Sequence, residues 1–320
     1  MREFEIKRND AGQRLDKFIT KATDIPQSLL YKSIRLKKIK VNRKRCEPGT
    51  VLTEGDLVQC FVADSFFKNE SETGGSLDNI SVSLNIIYED ENLILVDKRP
   101  GISVHEDEHG KNNTLINLIL AYLYQKGEYD PKLEQSFTPA LCNRIDRNTG
   151  GIVIAAKNAE SLRVMNEKIK LREIDKFYLA AVHGVPKKKS DTLTGYLIKD
   201  EKSNTVRVYD KNPPRQAKSI ATKYTVISER GGDALVEVEL LTGRTHQIRA
   251  HMAHVGHPLI GDGKYGVNRE DRKKGYKYQA LYSYKLRFSF KGEPTVLEYL
   301  NGKEFKINKR DIYFTEEFFK

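Results

Sequence analysis

Apolar positions recur along this chain at two spacings, and they divide it into two textures. Near the amino terminus, "QRLDKFITKAT" puts Leu15, Phe18 and Ile19 at i, i+3 and i+4, one face of a helix. "DIPQSLLYKSIRLKKIK" repeats that spacing with Leu30 and Ile34 on one stripe and Pro26 suited to a first turn. "KIKVN" reads as a short strand, and "EPGTVLTEGDLVQCFVA" as turn, strand, turn, strand. The spacing therefore predicts a small α+β unit over residues 1–63. Residues 64–80 are polar with paired glycines, the composition of a linker. From residue 81 the texture becomes strand-rich. "IIYEDENLILVDKRPG" predicts a hairpin, while "NTLINLILAYLY" and "NAESLRVMNEKIKLRE" predict helices. "DKFYLAAVHG" predicts a strand, and others follow near Thr194, near Thr205 and over Ala217 to Ser228. In "ALVEVELL", Leu235, Val236, Val238 and Leu240 combine alternation with extra apolar density. Many strands with few helices between them predict an α+β domain over 81–320, a mixed, largely antiparallel sheet with flanking helices.

Composition adds a partner to this picture. At 320 residues, 38% hydrophobic and 31% charged, the chain is globular, and its net charge of +11 points to a polyanion. The charge is local: Ser28 to Arg45 holds eight basic residues and no acid. A one-sign run across a helix end and a strand repels itself unless phosphates neutralise it. The element order and "VN...G..V..GD.V" (Val41, Asn42, Gly49, Val51, Gly55, Asp56, Val58) resemble the S4 RNA-binding domain over about Gln13 to Val62. That resemblance implies that Lys32, Arg35, Lys37, Lys38, Arg43 and Lys44 dock on structured RNA. The three cysteines are widely spaced with no C-x-x-C pair, so neither a disulfide framework nor a cysteine zinc site is expected. No apolar run approaches the ~20 residues of a membrane span, so no membrane partner is expected. "MREFEIKRND" lacks the apolar centre of a signal peptide, and a cytoplasmic protein is expected.

Chemistry must be sought among weak local signals. "NRIDRNTGGIVIAAKN" sets Asp146 between Arg144 and Arg147, in the turn before an apolar strand. Strand mouths hold side chains rigidly at a cleft, and Gly150 and Gly151 allow close backbone approach or unusual dihedrals. Taken alone, R-x-D is an ordinary surface charge pattern. "ELLTGRTHQIRAHMAHVGHPLIGDGKYG" predicts a strand ending at "TGRT" and a helix with Thr245 as N-cap. Ile248 and Met252 share its apolar stripe, and Arg249, one residue off that stripe, is placed along the sheet surface. His246, His251, His254 and His257 could suggest a zinc hydrolase, but no acid lies among them and there is no H-E-x-x-H. Hydrogen-bonded histidines in a partly buried helix are the simpler account. "GDGKYG" matches G-x-G-x-x-G without the strand and helix that a dinucleotide site needs.

Four ordered motifs together carry a specific resemblance. "NRIDRNTGG" resembles the H-R-L-D-x-x-T-S-G motif of the RluA family of pseudouridine synthases. "DKFYLAAVHG" resembles that family's K-x-Y-x-A-x-V-x-G, with Lys176, Tyr178, Ala180, Val182 and Gly184 in place. The arginine- and histidine-rich segment resembles the third motif almost throughout, and the hairpin ending "DKRPG" resembles the family's entry hairpin. The resemblance spans about Leu84 to Phe290 and implies an isomerase converting uridine in RNA, most often ribosomal RNA, to pseudouridine without any cofactor. It implies that Asp146 is the essential catalytic group, that Tyr178 packs against the target base, that Arg249 pairs with Asp146, and that Arg144 helps rearrange RNA around a flipped base. A carboxylate suits glycosidic chemistry as nucleophile or charge acceptor. An arginine fork grips carboxylates, and the base must leave its stack to react. The chain departs from the pattern at Asn143, Ile145 and Gly150. A monomer is expected. The rival reading is a non-catalytic RNA-binding or ribosome-assembly protein on the same scaffold, which would not need the Asp–Tyr–Arg set.

Overall fold

The computed structural model describes residues 1–67, 77–105 and 114–320. The amino-terminal unit contains β1 (Arg2–Glu5), α1 (Leu15–Ala22), α2 (Gln27–Arg35), β2 (Ile39–Val41), β3 (Lys44–Arg45) and β4 (Leu57–Cys60). Its four strands form a separate sheet in the order β1-β4-β2-β3. Leu15, Phe18 and Ile19 from α1 and Leu30 and Ile34 from α2 meet Ile39, Leu52 and Val58 in one core, as the helical spacing predicts.

Three features differ from expectation here. The strand expected around Val51 is only a single bridge, Arg14 to Val51. That segment bonds to the chain entering α1 instead, through Leu15 N to Thr50 O at 2.7 Å and Gly12 N to Leu52 O at 2.8 Å. The short pair β2–β3 was not expected as a hairpin. The predicted linker also begins inside the unit, because Phe67 is buried against Phe4 with ring centroids 6.1 Å apart. Residues 68–76 of that linker lie outside the described residues.

The remainder comprises β5 (Ile86–Glu89), β6 (Leu93–Lys98), α3 (Leu115–Gln125), β7 (Ala140–Leu141), β8 (Gly150–Ala156), α4 (Ala159–Lys170) and β9 (Ile174–Val182), then β10 (Ser190–Asp200), β11 (Thr205–Tyr209), β12 (Lys218–Arg230) and β13 (Asp233–Leu240). It ends with α5 (Gln247–His254), α6 (Arg269–Lys273), β14 (Leu281–Phe288) and β15 (Glu304–Lys306). One sheet runs β11-β10-β12-β13-β9-β14-β8-β6-β5, with β15 beside β14 and β7 beside β8. The fold is α+β with a large, mostly antiparallel sheet. β8 against β14 is parallel, so the sheet is mixed.

The extra apolar density of the central strands has a plain cause: both faces of the sheet are covered. Tyr178, Ala180, Val236 and Val238 pack on one side under α3 and α5. Their alternates Leu179, Ala181 and Leu235 pack on the other, against Ile312 and Phe314 of the carboxy-terminal segment. The α3–α5 side carries the cleft described below. Among the described residues, no helix is long and apolar enough to cross a membrane.

Candidate active site

Asp146 stands where the chain turns into β8, with Thr149 N donating to Asp146 O at 3.0 Å. The approach to it alternates. Asn143 and Ile145 are buried, Arg144 is exposed, and Asp146 is half-buried. Asn143 clamps the approach to the strand: its Oδ1 accepts from Ile154 N at 2.8 Å and its Nδ2 donates to Ile152 O at 3.3 Å. This departure from the family pattern is therefore a backbone tie, for which an amide carrying both donor and acceptor is suited.

The two glycines belong to β8 itself and not to the turn. They make the parallel pairing with β14 possible. A Cβ on Gly150 would lie 2.3 Å from the Tyr282 ring. One on Gly151, whose φ is +115°, would lie 2.1 Å from the Ser283 carbonyl oxygen. Gly150, where the family pattern has serine, is thus matched to a large neighbour, Tyr282.

From below, the turn is held by a lysine that the sequence reading did not single out. Lys98, 1% exposed, donates to Arg147 O at 2.9 Å, Ile102 O at 2.9 Å and Arg99 O at 3.2 Å. Burial pushes its ammonium down to about 7, against the pull of Asp146 and Asp97. Arg147, left without a role by the sequence, braces the same loop by donating from Nε to Gly101 O at 3.1 Å.

Arg249 reaches Asp146 from α5 across 103 residues, Nη1 donating to Oδ2 at 2.8 Å. This is the charge pairing that the family resemblance implies. Asp262 is the partner that it missed. Arg249 donates from Nε to Asp262 Oδ2 at 2.7 Å and from Nη2 to Oδ1 at 2.9 Å, a fork-to-fork pair. Asp262 is fully buried and also accepts from Lys264 N at 2.8 Å. Burial works to raise its pKa, and Arg249 outweighs it, so the carboxyl sits below its ordinary value. For Arg249, burial works downward and the two carboxylates, Asp262 foremost, carry it above the usual arginine value. Asp262, the first acid beyond the clustered histidines, carries no signal of this role in its local sequence.

The helix start differs from expectation. His246, not Thr245, is the N-cap residue, with φ +53° and no side-chain cap bond. The loop is fastened instead by Gln247, whose Oε1 accepts from Thr242 Oγ1 at 2.9 Å and from Arg244 N at 3.1 Å.

Tyr178, on β9, lines the same cleft as Asp146 and Arg249, a cavity of about 1130 Å³. Burial pushes its phenol up to about 12, with the Asp146 charge adding to the effect. Near neutral pH it is therefore a protonated aromatic wall and not a ready base. Arg144, Lys176, Lys199, Arg244, Lys264 and Arg272 also line the cleft and give it a positive rim.

Lys32, Arg35, Lys37, Lys38, Arg43 and Lys44 lie elsewhere, on α2, the turns that follow it and β3. All six are exposed, and among the described residues none of their side chains makes a hydrogen bond or ion pair. Lys37 and Arg43 occupy left-handed turns (φ 61° and 64°), which present the cations on tight corners. None of the six lines the cleft.

Each of the four clustered histidines has a protein partner. His246 meets Tyr265 Oη at 2.8 Å, His251 meets Thr222 Oγ1 at 3.0 Å, His254 meets Asp210 at 2.9 Å, and His257 meets the His183 carbonyl at 3.0 Å. Among the described residues, no group of three or more His, Cys, Asp or Glu is placed to hold a metal ion.

Residues 92–254 match the family described as RNA pseudouridylate synthase. The chain is 31% identical over 288 residues to the ribosomal large subunit pseudouridine synthase C of Haemophilus influenzae, covering 88% of this chain and 85% of that one. It is 33% identical over 292 residues to an uncharacterized RNA pseudouridine synthase of Mycoplasma genitalium, covering 89% and 88%. Among solved structures, human RNA pseudouridylate synthase domain containing 1 is similar in fold, with a TM-score of 0.57 at 21% identity over 76% of this chain and 88% of that one.

Proposed function

The chain belongs to the RNA pseudouridylate synthase family and so is an isomerase that converts uridine in RNA to pseudouridine; from that premise we propose that Asp146, Tyr178 and Arg249 form its catalytic centre. The reaction is balanced within the substrate. The bond from C1′ to N1 breaks, the uracil turns, a bond from C1′ to C5 forms, the C5 proton leaves and N1 takes one up. No oxidant, reductant or group donor is required, so the reading needs no cofactor.

The observation that carries this assignment is the 2.8 Å contact between Arg249 and Asp146 Oδ2 in the wall of a cleft that Tyr178 also lines. Asp146 supplies the carboxylate that adds to the electron-poor sugar carbon or to the base. Arg249, itself fixed by Asp262, holds that carboxylate in place from one side. Tyr178 offers an aromatic wall that keeps the detached base from escaping. A volume of about 1130 Å³ accepts a flipped nucleotide together with its neighbours. Arg144, exposed beside Asp146, is suited to the RNA around the flipped position.

We assign the amino-terminal unit, which resembles an S4 domain in sequence, to docking on RNA phosphates through Lys32, Arg35, Lys37, Lys38, Arg43 and Lys44. Relatives named as ribosomal large subunit enzymes support large-subunit ribosomal RNA as the substrate. The enzyme is taken to act as a monomer in the cytoplasm. A pseudouridine map of all RNA from cells with and without the gene tests the reading. Loss of one or a few sites in large-subunit ribosomal RNA is expected. Loss confined to other RNAs would refute the substrate, and loss of no site would favour a purely RNA-binding role.

A further inference from the structure

We propose that His246 is a positioning residue that presents an uncharged Nε2–H to Asp146 Oδ2, so that Oδ1 is the oxygen left for the substrate. The inference rests on Asp146 being the reactive carboxylate.

The backbone gives the first indication. His246 holds φ +53° at the head of α5 without capping it. A non-glycine residue in the left-handed region persists only where its surroundings impose it, and such strain gathers at functional sites. Here the strained backbone turns the imidazole into the cleft, where it is nearly buried among Asp146, Arg249 and Lys264.

Hydrogen bonding then points to the ring nitrogen that carries the proton. Tyr265 Oη accepts from Val206 N at 2.9 Å and lies 2.8 Å from His246 Nδ1. The phenol has one proton to give, and among the described residues His246 Nδ1 is the acceptor within reach. The imidazole therefore takes that proton's bond on Nδ1 and carries its own hydrogen on Nε2. Tyr265 is held for this task, with the Arg249 guanidinium 5.3 Å from its ring centre.

Nε2 lies 3.8 Å from Asp146 Oδ2. That is too long for a hydrogen bond, yet within the small adjustment by which open sites tighten around substrate. Arg249 donates to the same oxygen at 2.8 Å. Oδ1 of Asp146 accepts no hydrogen bond among the described residues. One donor bonds this oxygen and a second faces it, with none on the other, so the carboxylate is already asymmetric before substrate arrives.

The groups facing the ring agree with a neutral donor. Burial lowers the imidazole pKa first. Asp146 and Asp262 pull it upward, Arg249 and Lys264 push it down, and it ends below its ordinary value. The ring is thus uncharged at neutral pH, and acts by direction and not by charge.

The test compares purified full-length His246→Gln and His246→Phe with wild type, using tritium release from total RNA labelled with [5-³H]uridine in cells lacking the gene. Glutamine keeps an N–H donor and cannot titrate, while phenylalanine keeps the ring without the donor. For His246→Phe, kcat is expected to fall roughly 10- to 100-fold with KM for RNA nearly unchanged. His246→Gln is expected to recover to within about threefold of wild type, with a superimposable pH profile. A wild-type kcat for His246→Phe, a glutamine variant as slow as phenylalanine, or loss of the acidic limb in the glutamine variant would each overturn the proposal. The last result would make the imidazole a titrating base. Asp146→Asn measured in parallel separates the two levels. Turnover by Asp146→Asn would remove the reading on which this rests. An inactive Asp146→Asn beside a fully active His246→Phe would remove only the role of His246.

Discussion

Arg249 and the basic amino-terminal face place the same kind of charge in opposite surroundings. Arg249 is 6% exposed, and its fork is committed to Asp262 and Asp146. Lys32, Arg35, Lys37, Lys38, Arg43 and Lys44 are exposed and unpaired among the described residues. A cation neutralised from inside the protein has no fork left for a phosphate, and its work is to fix a carboxylate. Cations left open to water gain most by meeting a polyanion, with release of the counterions around it. The difference separates holding RNA from reacting with it, and changes in one region should leave the other's function standing.

The largest effect on stability should come from opening the buried pair. Asp262→Ala leaves Arg249 buried without its bidentate partner and should destabilise the fold by about 3–5 kcal/mol. Denaturant unfolding measures it, and an unchanged midpoint would mean that Asp262 does not hold Arg249. Replacing Lys37, Lys38, Arg43 and Lys44 together by alanine should do the converse. Stability should barely move, while RNA affinity falls and the slope of log K against log salt flattens by about 3–4, roughly 0.7–0.9 per lost phosphate contact. A salt titration reads this directly, and an unaltered slope would take the RNA off this face. At saturating RNA the same variant should turn over at the wild-type rate.

Gly150→Ser restores the family's residue but drives a side chain into Tyr282, and should destabilise by about 1–3 kcal/mol. Combined with Tyr282→Ala the two effects should be clearly less than additive, because each relieves the other's misfit. The smallest expected contrast is between two neighbouring arginines. Arg147→Ala should lose about 0.5–1.5 kcal/mol of stability with its bond to Gly101 O, and leave RNA affinity alone. Arg144→Ala should weaken productive RNA binding and leave the melting midpoint in place. If the two behave alike, the division between brace and RNA contact within this turn is wrong.

How much was legible in the sequence followed the range of the interactions. Helix faces such as Leu15, Phe18 and Ile19 write themselves at a fixed local spacing, and so do strands such as Ala234 to Leu240. The pairing of Asp146 with Arg249 came from resemblance and not from spacing, since nothing local links residues 103 apart. Asp262 stayed hidden because an aspartate in a glycine-rich loop looks the same whether it faces solvent or a buried guanidinium. Thr245 looked like an N-cap by composition, but the cap position fell to His246 once Gln247 had tied down the loop. Lys98 was unreadable for a related reason. A lysine gives no local sign that three backbone carbonyls will receive it in the interior. The close approach expected at Gly150 and Gly151 was legible, but the neighbour that demands it, the ring of Tyr282, was not.

The central claim is that Asp146 reacts and the amino-terminal face binds. The most direct test measures RNA affinity and single-turnover pseudouridine formation on one preparation of Asp146→Asn. Affinity within about twofold of wild type with no detectable product is the predicted result, since asparagine keeps the shape and removes the carboxylate. Product formed at the wild-type rate would contradict the account.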